Sequence, residues 1–377
     1  MDKIKPRVLR VVALASRSGK YGGPFDTACR QAELATNAGV PVTVVAGVLS
    51  GDEPDARAIL KTRIVRKVTK NSFVMTHSAR LAAFLARSTS DADVVHVSFS
   101  REAIPMSTAL LARLLRKRLI LQPHGMLTSR SSLVHRTIDA LATKRLIGRE
   151  TTLVALTSAE ANALANWHPP ASDRIVIIGN PAPIGLKPLE DLRPPSATVL
   201  FAARLHPRKR VLDFARAAVT AEKNGWRGDY AVLGPDEGDL AELQIAVKKT
   251  RNLQYLGATS SDGVLKHLER AGVFVLPSAD EPWGNVLVAS LRLGVPVVVT
   301  KSAVLSDLVR LYDAGLVVDD ESPEEIAAAV HRILDIEKLP EYRRRARALG
   351  EERFGDRETR EALVRLYTFA PGYGADT

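Results

Sequence analysis

Cysteine, aromatic residues and long apolar runs are scarce in this chain, and each scarcity excludes a class of protein. Cys29 is the only cysteine among 377 residues, so the chain holds no intrachain disulfide and no thiolate metal cluster, which fits a reducing, cytoplasmic location. Aromatic residues make up only 5% of the chain, which argues against stacking surfaces for nucleic acid. No apolar run approaches the ~18–20 residues of a membrane-spanning helix, and we expect no signal peptide.

Metal-binding patterns are missing as well. The sequence contains no HxxxH and no CxxC spacing. Its one Asp-x-Asp triplet, residues 91–93, comes before a predicted strand, at the edge away from ligand sites, and we interpret it as a solvated loop. We therefore predict a protein that needs neither a metal nor another cofactor.

Positive charge is in excess, and it is unevenly placed. The formal net charge is +11; residues 1–182 carry 26 Lys and Arg against 13 Asp and Glu, a balance of +13, and the remainder carries −2. A basic face suits an anionic membrane, a pyrophosphate-linked acceptor or nucleic acid, although ordinary solvated charge explains it equally well. Because we find no nucleic-acid reader motif, we expect no nucleic-acid partner and hypothesise peripheral contact with the inner face of the membrane.

Apolar runs alternate with helical patterns along the whole chain, which is typical of βαβ units and parallel sheets. The length, with 46% apolar residues, supports two hydrophobic cores. A proline-rich stretch at 181–195 has the composition of a linker. We predict an α/β protein with two Rossmann-like, doubly wound domains at 1–182 and 197–340, a linker at 183–196 and C-terminal helices at 341–377.

The most informative segment is residues 280–290, Asp-Glu-Pro-Trp-Gly-Asn-Val-Leu-Val-Ala-Ser. It follows a predicted buried strand and precedes a predicted helix. In open α/β sheets, ligands bind at the carboxyl ends of strands, and the free N–H groups of a helix N-terminus suit a phosphate. The Glu281 carboxylate can accept hydrogen bonds from sugar hydroxyls.

This segment resembles the donor-site signature of the GT-B glycosyltransferases of family 4, which are retaining, metal-independent enzymes. Glu281, Pro282, Trp283 and Gly284 match the signature, whereas Ala289 stands where the family has a second glutamate that binds the ribose. The resemblance implies that Glu281 holds the donor sugar. It also implies that the donor contacts a group of residues around the helix start, namely Trp283, Gly284, Asn285 and Val286. Ala289 leaves a gap at the expected ribose position, so we expect weak nucleotide affinity.

A second informative segment, this one basic, lies at 199–211. Here Arg204 and Lys209 stand five residues apart between a predicted strand and a predicted helix. Two cations so placed can neutralise a diphosphate while its bond to a sugar breaks. The segment resembles the family motif in which arginine and lysine bind the donor diphosphate. Ala203 and Arg210 replace the glycines usual there.

The first domain carries two weaker signals. Gly22 and Gly23 resemble the family's Gly-Gly turn after the first strand, where the backbone approaches the donor closely. Residues 123–127, Pro-His-Gly-Met-Leu, resemble a loop of the bacterial polysaccharide-type members, in which a histidine, here His124, faces the donor sugar across the cleft between the domains. We interpret His96, inside a predicted strand, as structural.

Taken with the resemblance, these motifs imply a hexose-type glycosyltransferase that moves a sugar from a nucleotide-diphosphate donor to a glycan, lipid-linked or small-molecule acceptor with retention of configuration. The implied catalytic residues are Arg204, Lys209, Glu281 and His124. The resemblance also implies that the C-terminal helices at 341–377 cross back to the first domain. Because Ala289 departs from the signature, a degenerate GT-B protein that binds but does not turn over nucleotide sugar is the alternative.

Overall fold

Residues 5–16, 22–48, 79–127, 139–183, 186 and 197–369 are described by the computed structural model. They form two compact units. Unit 1 contains the described residues up to Pro181 and those from Asp356 onward, and unit 2 contains Ala182–Gly355. The predicted linker at 183–196 lies outside the described residues except for Pro183 and Leu186.

Unit 1 is built on a six-stranded parallel sheet with the order β2-β1-β3-β4-β5-β6. Its central strands are buried on both faces, as expected for strands covered by helices on each side. The strands are β1 (Val8–Ala15), β2 (Val42–Val48), β3 (Val94–Ser98), β4 (Arg118–Gln122), β5 (Thr152–Ala155) and β6 (Ile175–Ile177).

Helices of unit 1 connect and cover these strands. A π-helical turn, Asp139–Thr143, leads into the short helix α4, and a 3-10 turn, Pro169–Arg174, leads into β6. The α-helices are α1 (Gly22–Asn37), α2 (Ala79–Asp91), α3 (Ala103–Leu114), α4 (Lys144–Leu146), α5 (Ser158–Trp167) and, near the C-terminus, α13 (Asp356–Thr368).

Unit 2 has a second six-stranded parallel sheet with the order β12-β11-β10-β7-β8-β9. Counted from β7, this is the 3-2-1-4-5-6 order of the Rossmann fold. Its strands are β7 (Thr198–Ala202), β8 (Asp229–Leu233), β9 (Leu253–Tyr255), β10 (Val273–Leu276), β11 (Val297–Thr300) and β12 (Gly315–Val318). The prediction of two doubly wound α/β sheets is confirmed.

Helices flank both faces of this sheet, and a 3-10 turn, Pro207–Lys209, follows β7. The core beneath α6 is aromatic: the Phe214 ring lies 5.6 Å from Phe201 and 5.3 Å from Tyr230, centroid to centroid. The helices are α6 (Val211–Lys223), α7 (Leu240–Lys249), α8 (Ser261–Leu268), α9 (Asn285–Arg292), α10 (Ser306–Leu311), α11 (Pro323–Ile333) and α12 (Leu339–Arg353).

The C-terminal helices divide between the units, which corrects the expectation that the whole segment 341–377 crosses back to the first domain. Helix α12 stays in unit 2, where Gly350 lets its backbone approach α9 closely: a Cβ on Gly350 would lie 2.5 Å from the Leu291 carbonyl oxygen. Only α13 packs in unit 1, where Asp356 pairs with Arg30 of α1 at 2.5 Å.

Strand β11 begins only at Val297, because Pro296 has no N–H to donate to the ladder. The helical segment before β5 is described only from Asp139, where it is a π-helical turn followed by α4. No helix of the described residues is long and apolar enough to span a membrane.

Candidate functional site

The strand order of unit 2 creates a crevice position between β7 and β10. Chain connections leave these neighbouring strands in opposite directions along the sheet, which is the switch point where open α/β sheets bind ligands. The loops that follow the two strands are joined by backbone: the Ala279 N–H donates to the Arg208 carbonyl oxygen at 2.9 Å. The guanidinium of Arg208 also donates to the Asp280 carbonyl oxygen at 3.1 Å.

Two of the predicted residues meet at this point. Lys209 Nζ lies 2.5 Å from Glu281 Oε2, and the side chains are 20% and 6% exposed, respectively. Lys209 ends the 3-10 turn after β7, while the Glu281 carbonyl oxygen accepts the Val304 N–H at 3.0 Å, which fixes the loop after β10. A cation and a carboxylate are thus held side by side at the carboxyl edge of the sheet.

Arg204, the third predicted residue, lies on the same β7 loop and pairs with a residue that the sequence did not indicate. Its Nη1 donates to Glu237 Oε2 at 2.9 Å, and the Arg204 side chain is half exposed. Glu237 follows β8, the other neighbour of β7. The acidic pair at 236–237, in the loop after β8, was the signal in the sequence for a partner of Arg204, but no motif singled it out.

Arg210 stands where the resemblance expects a glycine, and its backbone conformation explains why a glycine suits this position. Its φ of 56° is left-handed, a region that favours glycine. The guanidinium holds this conformation through two ion pairs, to Asp213 at 2.6 Å and to Glu321 at 2.7 Å. The loop after β7 therefore keeps a glycine-like backbone with an arginine in it.

The start of α9 provides the helix N-terminus that the sequence predicted. Gly284 precedes the helix with a φ of 78°, and a Cβ there would lie 3.1 Å from the Leu287 Cβ, so glycine is strongly favoured. Trp283 is buried edge-on against Phe354, at 5.8 Å between ring centroids. Asn285 and Val286 form the first helical turn, where backbone N–H groups suit an anion.

Ala289 lies in the second turn of α9, but the gap expected there is absent. Its side chain is 1% exposed, so it does not line an open space. The neighbouring Ser290 is fully buried, and its hydroxyl donates to the Val286 carbonyl oxygen at 3.0 Å. In this arrangement neither side chain presents a polar group to a ribose.

In unit 1, His124 occupies a tight turn after β4. The Met126 N–H donates to the Pro123 carbonyl oxygen at 3.0 Å, and His124 and Gly125 have φ angles of 52° and 77°. Both central residues are left-handed, as in a type I′ turn. The His124 ring lies with Nε2 3.1 Å from the Ser98 hydroxyl, at the end of neighbouring β3.

The His124 imidazole is held neutral. Burial lowers the pKa of His124 to about 3, and the positive charge of Arg10 acts in the same direction. At neutral pH the ring is therefore a hydrogen-bonding group without charge.

A buried polar cluster lies beneath His124. Arg10 is fully buried and donates to Gln31 and Gln122 side chains at 3.0–3.3 Å, with no carboxylate partner among the described residues. His96 places Nδ1 2.9 Å from the Tyr367 hydroxyl of α13, and burial lowers its pKa well below the usual value. This cluster joins α13 to the sheet, which is the structural role expected for His96.

The predicted glycine pair lies elsewhere than expected. Gly22 and Gly23 form the first turn of α1, not a turn between β1 and the helix. The helix begins at Gly22, and Pro24 is tolerated there because it lies in the first helical turn. Residues 17–21, which precede the pair, lie outside the described residues.

A metal centre is not evident in the part of the chain that the structure describes. There, no three His, Cys, Asp or Glu side chains are grouped closely enough to hold an ion.

Comparison with known families matches both halves of the chain. Residues 189–352 match the model described as glycosyl transferases group 1, and residues 22–181 match the glycosyl transferase 4-like domain. Each model falls largely within one of the two units, and together they account for most of the chain.

Curated relatives are distant. A D-inositol 3-phosphate glycosyltransferase of Paenarthrobacter aurescens is 27% identical over 248 residues, covering 59% of each chain. The lipopolysaccharide core biosynthesis glycosyltransferase LpsE of Rhizobium meliloti is 34% identical over 134 residues, covering 36% of this chain and 38% of that one. The matched stretches thus span less than two thirds of the length of these relatives.

Solved structures share the whole fold at low identity. HepE of Anabaena, crystallised in complex with UDP and glucose, has a TM-score of 0.73 and 18% identity over 96% of this chain and 99% of that one. WaaG, a glycosyltransferase involved in lipopolysaccharide biosynthesis, has a TM-score of 0.67 and 16% identity, with coverage of 96% and 99%.

Proposed function

Because the chain belongs to the group 1 glycosyltransferases with the GT-B fold, we propose that it transfers a hexose-type sugar from a nucleotide-diphosphate donor to a glycan, lipid-linked or small-molecule acceptor. The observation that carries the proposal is the meeting of Lys209 and Glu281, 2.5 Å apart, at the switch point of unit 2, with Arg204 on the same loop. Positive charge beside a sugar-binding carboxylate is what cleavage of a sugar–diphosphate bond requires.

Each proposed role follows from the chemistry of the side chain. Arg204 and Lys209 neutralise the charge that grows on the diphosphate as its bond to the anomeric carbon breaks. Glu281 accepts hydrogen bonds from sugar hydroxyls, and the first N–H groups of α9 bind phosphate oxygens. Neutral His124 contacts the donor sugar, as the family resemblance implies.

The bond changes balance without a further reactant. The acceptor oxygen bonds to the anomeric carbon, the bond from that carbon to the diphosphate oxygen breaks, and the acceptor proton moves to the leaving phosphate. We propose departure and attack on the same face, which retains configuration. Fixed cations take the place of a metal, so turnover in EDTA is expected to equal turnover without it.

The experiment has a binding stage and a turnover stage. UDP and the other nucleoside diphosphates are first screened by thermal shift; a ligand at 100 times its Kd adds about 2.7 kcal/mol of stability. Release of nucleoside diphosphate from the matching sugar donors is then measured for wild type, Arg204→Ala and Lys209→Ala. We expect each substitution to raise the activation barrier by roughly 2.7–4 kcal/mol and to lower kcat/KM accordingly.

Arg310→Ala is the matched control, because Arg310 forms an exposed ion pair with Asp307 on α10, also in unit 2. Wild-type kinetics in both site variants would refute the diphosphate role. If EDTA abolishes turnover and Mg²⁺ or Mn²⁺ alone restores it, the donor site depends on a metal.

The second candidate is a protein that binds nucleotide sugar without turnover. It is favoured by Ala289, whose buried methyl group offers no ribose ligand. Thermal stabilisation by a nucleotide sugar, with no release of nucleoside diphosphate across the donor and acceptor panels, would establish this candidate in place of the transferase.

We further propose that α3 rests on an anionic membrane surface, where a lipid-linked acceptor would be presented. Leu110, Leu114 and Leu115 are exposed, with Leu114 at 70%. They adjoin a groove of about 530 Å³ whose lining includes Arg113 and Arg145. Apolar side chains beside basic ones match the acyl boundary and the anionic headgroups, respectively.

Sedimentation with vesicles of phosphatidylglycerol or phosphatidylcholine tests this surface. We expect salt-sensitive binding to the anionic vesicles, which a Leu110→Ser/Leu114→Ser variant loses. Leu311→Ser is the matched control, because Leu311 is 73% exposed but lies in unit 2. Equal recovery with both lipids, or equal losses in both variants, would refute a membrane contact through α3.

A further inference from the structure

The turn that carries His124 holds a non-glycine residue in the left-handed backbone region. His124 is a non-glycine residue at φ 52°, followed by Gly125 at 77°. A left-handed non-glycine residue persists when the surrounding structure holds it. The groups that hold this turn therefore decide where the His124 ring points.

Glu160 holds one side of the turn. Its Oε1 accepts the Gly125 N–H at 2.6 Å, and its Oε2 accepts the Leu156 N–H at 2.7 Å. One carboxylate thus ties the turn after β4 to the loop after β5, the neighbouring strand. With both oxygens bound to backbone N–H groups, Glu160 is arranged to support the loops rather than to react.

The local sequence makes this placement informative. Thr157 and Glu160 have the spacing of a capping box, in which the glutamate usually accepts the N–H of the cap residue of its own helix. Thr157 does cap α5, because its side chain accepts the Glu160 N–H at 3.1 Å. The Glu160 carboxylate, however, is directed to Leu156, just before the cap, and across to Gly125.

Arg101 holds the other side. Its Nη1 donates to the Met126 carbonyl oxygen at 2.8 Å, while Nε and Nη2 bind both oxygens of Asp139 at 2.7 and 2.8 Å. Trp167 Nε1 adds a contact to Asp139 at 3.3 Å. Arg101 follows β3, so the loops after three successive strands of unit 1 meet around His124.

We infer that Glu160 and Arg101 are positioning residues that fix His124 for contact with substrate, Glu160 through Gly125 and Arg101 through Met126. The inference rests on the proposed sugar transfer, in which His124 contacts the donor sugar. Glu160 does not itself touch substrate, and its effect passes through His124.

A double-variant cycle with Glu160→Gln and His124→Asn tests the inference. Glutamine keeps the size of the side chain but can accept only one of the two N–H groups, since its NH₂ faces the other. We expect Glu160→Gln to lower kcat at least about tenfold with little change in KM, as for misplacement of a group at a reacting centre. If Glu160 acts through His124, the double variant is no slower than His124→Asn alone.

A matched control and a second readout separate positioning from stability. Glu361→Gln removes an exposed carboxylate that pairs with Arg357 on α13, and is expected to leave kcat unchanged. The ¹³Cε1–¹H signal of the His124 ring, assigned by its loss in His124→Asn, is expected to shift in Glu160→Gln and not in Glu361→Gln.

The outcomes distinguish the inference from the proposed function. Multiplicative effects in the double variant, or an unshifted His124 signal in Glu160→Gln, would overturn the positioning role. Full activity of His124→Asn would instead overturn the role of His124 in the reaction, while the ring signal would still report whether Glu160 holds it. Arg101→Lys, which cannot bind Asp139 and Met126 together, is expected to shift the same signal.

Discussion

The Lys209–Glu281 pair permits a test of the site that does not depend on knowing the substrate. Glu281 is 6% exposed and has no other side-chain partner among the described residues, whereas Lys209 is 20% exposed on a flexible stem. Removing the lysine leaves a buried carboxylate without its counter-charge, which typically costs 3–5 kcal/mol. Removing the glutamate leaves an amine that can turn toward water.

The expected losses of unfolding free energy are therefore unequal. We expect about 3 kcal/mol for Lys209→Met, at the lower end because the pair is not fully enclosed, and about 1 kcal/mol for Glu281→Gln. The double variant should lose less than the sum, by roughly 1–2 kcal/mol, because no unpaired charge remains. All three variants are expected to lose sugar transfer, since both groups serve the proposed reaction.

Urea unfolding followed by tryptophan fluorescence measures these losses. Of the three tryptophans, Trp167 lies in unit 1, and Trp226 and Trp283 lie in unit 2. A Trp167→Phe background therefore makes the fluorescence specific for the unit that contains the pair. Equal losses for the two single variants, or additive losses in the double variant, would refute the geometry of the pair.

Three further predictions concern stability. Gly284→Ala should lower the unfolding free energy of unit 2 by more than Gly225→Ala does. Both glycines are left-handed, so about 1–2 kcal/mol of strain is common to the two variants, but only at Gly284 would the new Cβ meet a neighbour, the Leu287 Cβ at 3.1 Å. Equal losses would contradict this close contact. Ala289→Glu should cost roughly 1–3 kcal/mol in urea unfolding, since the site is 1% exposed, and an unchanged midpoint would mean that space exists there. Burial lowers the pKa of His96, so its imidazole stays neutral in the native state while it takes up a proton in the unfolded state. The unfolding free energy therefore falls as the pH drops below about 6.5, by up to ~1.4 kcal/mol per pH unit. His96→Asn should reduce that slope in urea titrations between pH 7 and 5, whatever its effect at pH 7; an unaltered slope would show that His96 titrates normally.

Local patterns in the sequence were sufficient for the fold class, and they singled out residues that the structure places in loops at the carboxyl edge of the unit 2 sheet. Strand and helix periodicity are properties of short segments, so the βα alternation predicted two parallel sheets that the structure contains. Arg204, Lys209 and Glu281 each lie in a segment that follows a strand, on the side where parallel sheets present their ligand-binding loops. Gly284 was identified through the family resemblance, and its left-handed φ is a local requirement that glycine meets.

Other features were decided by tertiary structure, because they depend on which distant segments become neighbours. Lys209 and Glu281 are 72 residues apart and meet only because β7 and β10 are adjacent in the sheet. Glu160 looks in sequence like part of a helix cap, but the nearness of the turn after β4 redirects its carboxylate to Gly125. The burial of Ala289 likewise depends on how α9 packs, since no local pattern records what covers one face of a helix.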